Sequence, residues 1–140
     1  MKLYEADSLR ESIKAFTTAI AGNDSCYDCY LRRGFAYKDL KDYGNAFKDF
    51  NKLVSIDRKN PEGFANRASL YYLKNDYVNA LKDFQSAFQI DTTQTVFYNP
   101  ISHMLFATGK KDEACELYLK AKSLGDTAFD KSIVDYCEHK

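Results

Sequence analysis

The 140-residue chain sets twenty Lys+Arg against twenty Asp+Glu, so it has no basic surplus for nucleic acid and no acidic tail. No apolar run approaches the roughly 18–20 residues that a membrane-spanning helix needs. With eleven Tyr, ten Phe, no Trp and only two Pro, the composition suits a helical chain, and the length suits one domain, 1–140. The opening MKLYEADSLR carries no apolar signal-peptide segment. The cytoplasm is therefore the default compartment, and the periplasm stays open because a cleaved signal leaves the same sequence behind.

Residues 1–5 read as a stub. From about Ser8 to Ala21, the apolar side chains Leu9, Ile13, Phe16, Ala19 and Ile20 fall at helical spacing, and Gly22 and Asn23 stop the helix. Helices are then expected near 27–40 and 43–56. The same pattern returns near 61–74 and 77–90, where Asn60-Pro61 opens the first helix with a good cap and a first-turn proline.

The recurrence keeps strict register. Tyr37 superposes on Tyr71, Tyr43 on Tyr77, Ala46 on Ala80, Phe50 on Phe84 and Ile56 on Ile90, each displaced by 34 residues. A repeat of that length means one supersecondary unit stacked on copies of itself, since a lone helical hairpin cannot bury its own apolar face. Ser12 and Phe16 stand one period before Ala46 and Phe50, so 1–26 is a partial repeat lacking most of its first helix. Complete copies occupy 27–60 and 61–94. A further copy spans about 95–124, with Leu105, Ala114, Tyr118, Ala121 and Leu124 in register. Its Asn99-Pro100 falls where the earlier copies are inside the helix, and proline there removes a donor and clashes with the preceding turn. That helix is expected to start late, near Asn99, or to be distorted at its first turn. Gly125 ends the paired helices, and Thr127–Tyr136 forms a seventh helix whose Phe129, Ile133, Val134 and Tyr136 cap the stack. The expectation is seven helices from about Ser8 to Tyr136 and no strand.

Two columns change together. Arg33 and Arg67 become Ile101 in the last copy, while Asp49 and Asp83 become Leu117. Charge with charge turning into apolar with apolar predicts Arg33–Asp49 and Arg67–Asp83 ion pairs, with Ile101 on Leu117.

Residues able to do chemistry are few. Cys26 and Cys29 form a C-x-x-C; thioredoxin-like chemistry wants a βαβ setting, and zinc wants four ligands at recognisable spacing, which Cys115 and Cys137 do not complete. Incidental thiols, a local disulfide or redox pair of Cys26 and Cys29, and a metal site are the alternatives, in falling order. As free thiols, Cys26 and Cys29 are expected to react faster than Cys115 and Cys137, and a disulfide between them would argue for an oxidising compartment. His103 and His139 sit in no H-E-x-x-H or nucleophile arrangement, and the six glycines form no phosphate loop. No metal, cofactor or catalytic set is expected, and Tyr37, Phe50, Tyr71 and Phe84 read as core.

The columns carry a family resemblance. An aromatic near the start of each copy (Tyr30, Phe64, Tyr98), a small residue four places on (Gly34, Ala68, Ser102), then Tyr37, Tyr71 and Leu105, the alanines and the Phe/Tyr column resemble the tetratricopeptide repeat over about residues 8–124. The ending KAKSLGDTAFDKSIVDYC resembles the C-terminal cap of small bacterial members. The departures are the truncated first repeat, Pro100, and Lys111 in place of Tyr43 and Tyr77. The resemblance implies an all-α superhelix of antiparallel helix pairs, repeats at 27–60, 61–94 and 95–124, and a cap at 125–140. It also implies a groove, lined by the first helices, that holds a segment of another protein.

By register, the groove columns are Asp28/Glu62/Val96, Arg32/Asn66/Pro100, Phe35/Ser69/His103 and Asp39/Leu73/Ala107. Members that grip chaperone C-terminal carboxylates use a Lys/Asn/Lys/Arg arrangement. Only Asn66 corresponds here, with Leu31, Phe35 and Glu62 at other places, which argues against that role. The function implied is a non-catalytic scaffold for a partner polypeptide. The alternative is a homo-oligomerising module or a fragment of a larger repeat protein. For the helix near 8–21, part of the Leu9, Ile13, Phe16 and Ile20 surface is expected to face solvent or to be covered by a second copy, a swapped segment or further residues of a longer protein.

Overall fold

A computed structural model describes residues 3–140. Among these residues are eight α-helices: the expected helix near 8–21, the pairs of the three copies and the cap add to eight, not the seven stated above. They are α1 (Leu3–Gly22), α2 (Tyr27–Asp39), α3 (Tyr43–Ile56), α4 (Pro61–Leu73), α5 (Tyr77–Ile90), α6 (Tyr98–Ala107), α7 (Lys111–Ser123) and α8 (Lys131–Glu138), with a 3-10 turn at Thr95–Phe97 before α6. No strand occurs among the described residues. The chain falls into two compact units, one running to Arg67 and the other covering Ala68–Lys140.

In the first unit α2 packs on both α1 and α3. The Cys26 sulfur caps α2 by accepting the Cys29 N–H at 3.3 Å, and Asp42 caps α3 at the Asn45 N–H. Tyr30, Ala36, Ala46, Phe50, Leu53 and Val54 form the core. Gly34 is the point of closest approach: a Cβ there would lie 2.4 Å from a Phe50 ring carbon. Helix α1 starts at Leu3, so the expected stub is helical from that residue. Nothing between Leu3 and Ser8 breaks a helix, and Glu5 suits its positive end. None of the α1 side chains is fully buried.

The hairpin turns repeat in atomic detail. Asp42 donates its N–H to the Tyr37 carbonyl, Asp76 to Tyr71 and Lys110 to Leu105, at 2.8–2.9 Å. The residue before each donor, Lys41, Asn75 and Gly109, has positive φ. This is the glycine-type helix stop, carried once by Lys, once by Asn and once by Gly. The same geometry ends α7, where Gly125 has φ 88° and Asp126 bonds to Ala121.

In the second unit α6 packs on α5 and α7, and α8 lies on α7 and α6. The proline expectation holds. Thr95–Phe97 forms a 3-10 turn, and α6 begins only at Tyr98. Pro100 thus falls in the first turn, where backbone N–H groups have no intrahelical partner to lose. The cap helix starts at Lys131 rather than Thr127, because Asp130 takes the N-cap position and accepts from the Ser132 N–H at 2.8 Å. Its expected face is nonetheless in place. Ile133 is fully buried, Tyr136 meets Phe106 edge-on and Phe129, just before the helix, meets Tyr118.

Candidate functional site

Each unit presents its own surface. On α2, Asp28 and Arg32 spend their charges on each other at 2.8 Å, both well exposed. Phe35 lies edge-on against Phe50, with ring centroids 5.6 Å apart, and the Lys38 ammonium sits 5.2 Å above the Phe35 ring. Asp39 borders a cavity of about 480 Å³ with Tyr4, Glu5, Ser8 and Leu9 of α1. Asn66 is half buried on α4.

In the second unit the groove residues converge more tightly. Ser69 of α4 and His103 of α6 line one cavity of about 330 Å³ together with Tyr72, Phe84, Asn99, Pro100 and Met104. The His103 ring stands edge-on to Tyr72 at 5.7 Å, and its Nδ1 is buried without a hydrogen-bond partner. Leu73, also on α4, is half exposed. Sequence reasoning found Ser69 and His103 but took Phe84 for core, whereas it is half buried and walls the cavity. The signal that could have found it is the change from Phe35 to Ser69 within one column, which removes a ring from the face of the next aromatic.

The first unit also holds the expected ion pair. Arg33 Nε and Nη2 donate to Asp49 Oδ2 and Oδ1 at 2.8 and 2.7 Å, with the side chains only 15% and 4% exposed. The hydrogen bonds to Asp49 push the Arg33 pKa above its ordinary value. Arg67 donates to Asn51 Oδ1 at 2.8 Å, and Asp83 is buried. In the last copy Ile101 and Leu117 border one cavity of about 580 Å³.

Of the alternatives for Cys26 and Cys29 the local disulfide is the one present, and the expectation of free thiols is corrected. All four are bonded, Cys26 to Cys29 and Cys115 to Cys137, so the described residues include no free thiol whose reactivity could be ranked. The second pairing was missed because its cysteines are 22 residues apart. Helix α8 folds back along α7 and brings their Cα atoms to 5.3 Å. Around this staple Glu138 accepts from Tyr118 and Lys122, each at 2.5 Å. Its pKa is lowered first by the Lys122 hydrogen bond and then by that of Tyr118. Elsewhere the Tyr27 phenol, its hydroxyl buried, is pushed up to about 12, by burial first and the negative charge of Glu62 second. No group of three or more metal-ligating side chains occurs among the described residues.

The family profile "Tetratricopeptide repeat" matches residues 27–60, the segment read above as the first complete copy. Residues 27–60 are a tetratricopeptide repeat. A curated tetratricopeptide relative, Small glutamine-rich tetratricopeptide repeat-containing protein 2 of Mycosarcoma maydis, is 32% identical over 80 residues. That alignment takes in 57% of this chain and 23% of the relative, so the chain spans less than a quarter of that protein's length. Among solved structures, MamA shares 21% identity at a TM-score of 0.73, over 88% of this chain and 74% of that one. YrrB, described as a TPR protein with an unusual peptide-binding site, shares 19% at 0.74, over 86% and 62%. These likenesses show a common fold, the all-α tetratricopeptide solenoid. No described helix is long and apolar enough to cross a membrane.

Proposed function

We propose that this tetratricopeptide-repeat chain is a non-catalytic interaction module that binds a partner polypeptide on the first-helix faces of its repeats. The supporting observation is the α4–α6 cleft, where Ser69 and His103 meet across a cavity walled by Tyr72, Phe84 and Met104. A cleft with mostly apolar walls and a few convergent polar atoms is the usual form of a binding site. In the first unit the contacts proposed are Asp28, Arg32, Phe35, Asp39 and Asn66, and in the second Leu73 adds to the cleft residues. YrrB, of like fold, is described by its peptide-binding site. The test is a displayed peptide library panned against the folded chain, with selected peptides mapped by amide NMR. Shifts confined to α2, α4, α6 and the Phe84 turn of α5 are expected. Shifts confined to α3, α7 and the rest of α5, or no enriched peptide, overturn the reading.

A second reading is self-association through α1, whose Leu3 and Tyr4 are 81% and 66% exposed and which buries no side chain fully. Sedimentation at micromolar concentration tests it. A dimer that Leu9→Glu dissociates supports it, and a monomer overturns it.

A further inference from the structure

Positions 35 and 69 occupy one column of the repeat, and positions 50 and 84 another. In the first complete copy the Phe35 ring meets Phe50 edge-on, with centroids 5.6 Å apart and planes at 69°, and Phe50 is wholly buried. In the next copy the first column holds serine. Phe84 is then only half buried, and it and Ser69 line the same 330 Å³ cavity. We propose that this cavity is a subsite for one aromatic side chain of the partner polypeptide, which takes against Phe84 the place that Phe35 takes against Phe50.

The inference rests on the chain being a polypeptide-binding module, and it names what the cleft selects. Size supports one ring: a cavity of about 150 Å³ already admits benzene, so 330 Å³ holds an aromatic side chain with its stem but not a helix. Geometry supports an aromatic over an aliphatic group, since in the preceding copy a ring takes this place edge-on at 5.6 Å, an arrangement that aromatic pairs favour. The polar detail favours tyrosine. His103 lines the cavity and its buried Nδ1 has no hydrogen-bond partner, a costly state. A phenol hydroxyl relieves it once the imidazole turns toward it, and leucine cannot.

The test uses the full chain labelled at its methionine methyls. Of the two methionines, Met1 and Met104, the second lines the cavity. Titration with N-acetyl-tyrosinamide and N-acetyl-phenylalaninamide should give a saturable ring-current shift of the Met104 methyl. The tyrosine amide should also move the His103 ring nitrogens, and N-acetyl-leucinamide should bind at least tenfold more weakly. Ser69→Phe supplies the missing ring from the chain itself and should abolish saturation, while Ser69→Ala should retain it. Where Ser69→Phe does not fold, Phe84→Leu serves instead and should erase the preference for aromatic amides. Leucinamide binding as tightly as tyrosinamide overturns the proposal, as does a folded Ser69→Phe chain that still saturates. The two readings fail separately. Selected peptides that bind Ser69→Phe with wild-type affinity overturn the subsite and leave the module standing. Aromatic amides that saturate Met104 while no library peptide binds support the ring site and overturn the module.

Discussion

Arg33 and Asp49 show what one pair of residues can decide. Both side chains are largely buried and bonded twice to each other, so removing either leaves an uncompensated charge. Arg33→Met should cost about 3–5 kcal/mol by urea unfolding, whereas the double change Arg33→Ile with Asp49→Leu, copying Ile101 and Leu117, should be neutral or stabilising. Because the folded-state pKa of Arg33 is raised, the pair's contribution is fully present below the unfolded-state value. It is lost only as pH climbs through the folded one, at the far alkaline end. This pair was legible in the sequence because two columns changed in concert. The vacancy beside Phe84 was equally written there, as Phe35 against Ser69, but a repeat column read only as core hides which copy leaves it unfilled. A second residue-scale expectation concerns the turns. Lys41 sits at φ 60° where the third copy has Gly109 at 85°. A left-handed L-residue costs roughly 1–2 kcal/mol, part of which glycine returns through unfolded-state entropy. Lys41→Gly should therefore raise stability by about 0.5–1 kcal/mol, and Gly109→Lys should lower it by a similar amount, both read from denaturant midpoints.

Among the elements, α8 depends on its fastenings more than on its length. Eight residues are too few for a helix to persist alone, and this one is held by Ile133, the Cys115–Cys137 bond and the Glu138 contacts. Glu138 has a lowered pKa, so its support is present above the ordinary carboxylate value near 4.3 and disappears as pH falls through the folded-state one. Amide protection factors in α8 should fall on acidification before those in α6 and α7 do. Closing a loop of 22 residues stabilises by about 3 kcal/mol in the chain-entropy view, against about 2 for the three-residue Cys26–Cys29 separation. Cys137→Ser should accordingly lower the unfolding free energy more than Cys29→Ser. The late start of α6 was readable from Pro100 alone. The partner of Cys115 was not, because only the fold-back of α8 makes a distant cysteine near.

For the molecule as a whole, the repeat period carried most of the architecture. Register fixes which residues share a column, and a column fixes the packing. Function is less legible, since the same columns serve any partner, and what distinguishes this chain lies in the few places where the copies differ. The balance of charge has a bulk consequence: with twenty residues of each sign and a pI near 6.7, self-repulsion vanishes close to neutrality. Solubility in a polyethylene glycol precipitation series should pass through a minimum near pH 6.7 and recover on either side.

The bond between Cys115 and Cys137 also determines how the chain would carry force. Tension applied at the C-terminus passes through the sulfurs directly into α7 at Cys115, so the chain between them stays slack and α8 cannot be peeled away first. In a single-molecule pulling experiment under oxidising conditions, that stretch should be absent from the measured contour length. Adding a dithiol should lengthen the fully extended chain by roughly 70 Å, at about 3.3–3.6 Å per residue, and the cap should then become the first element to yield.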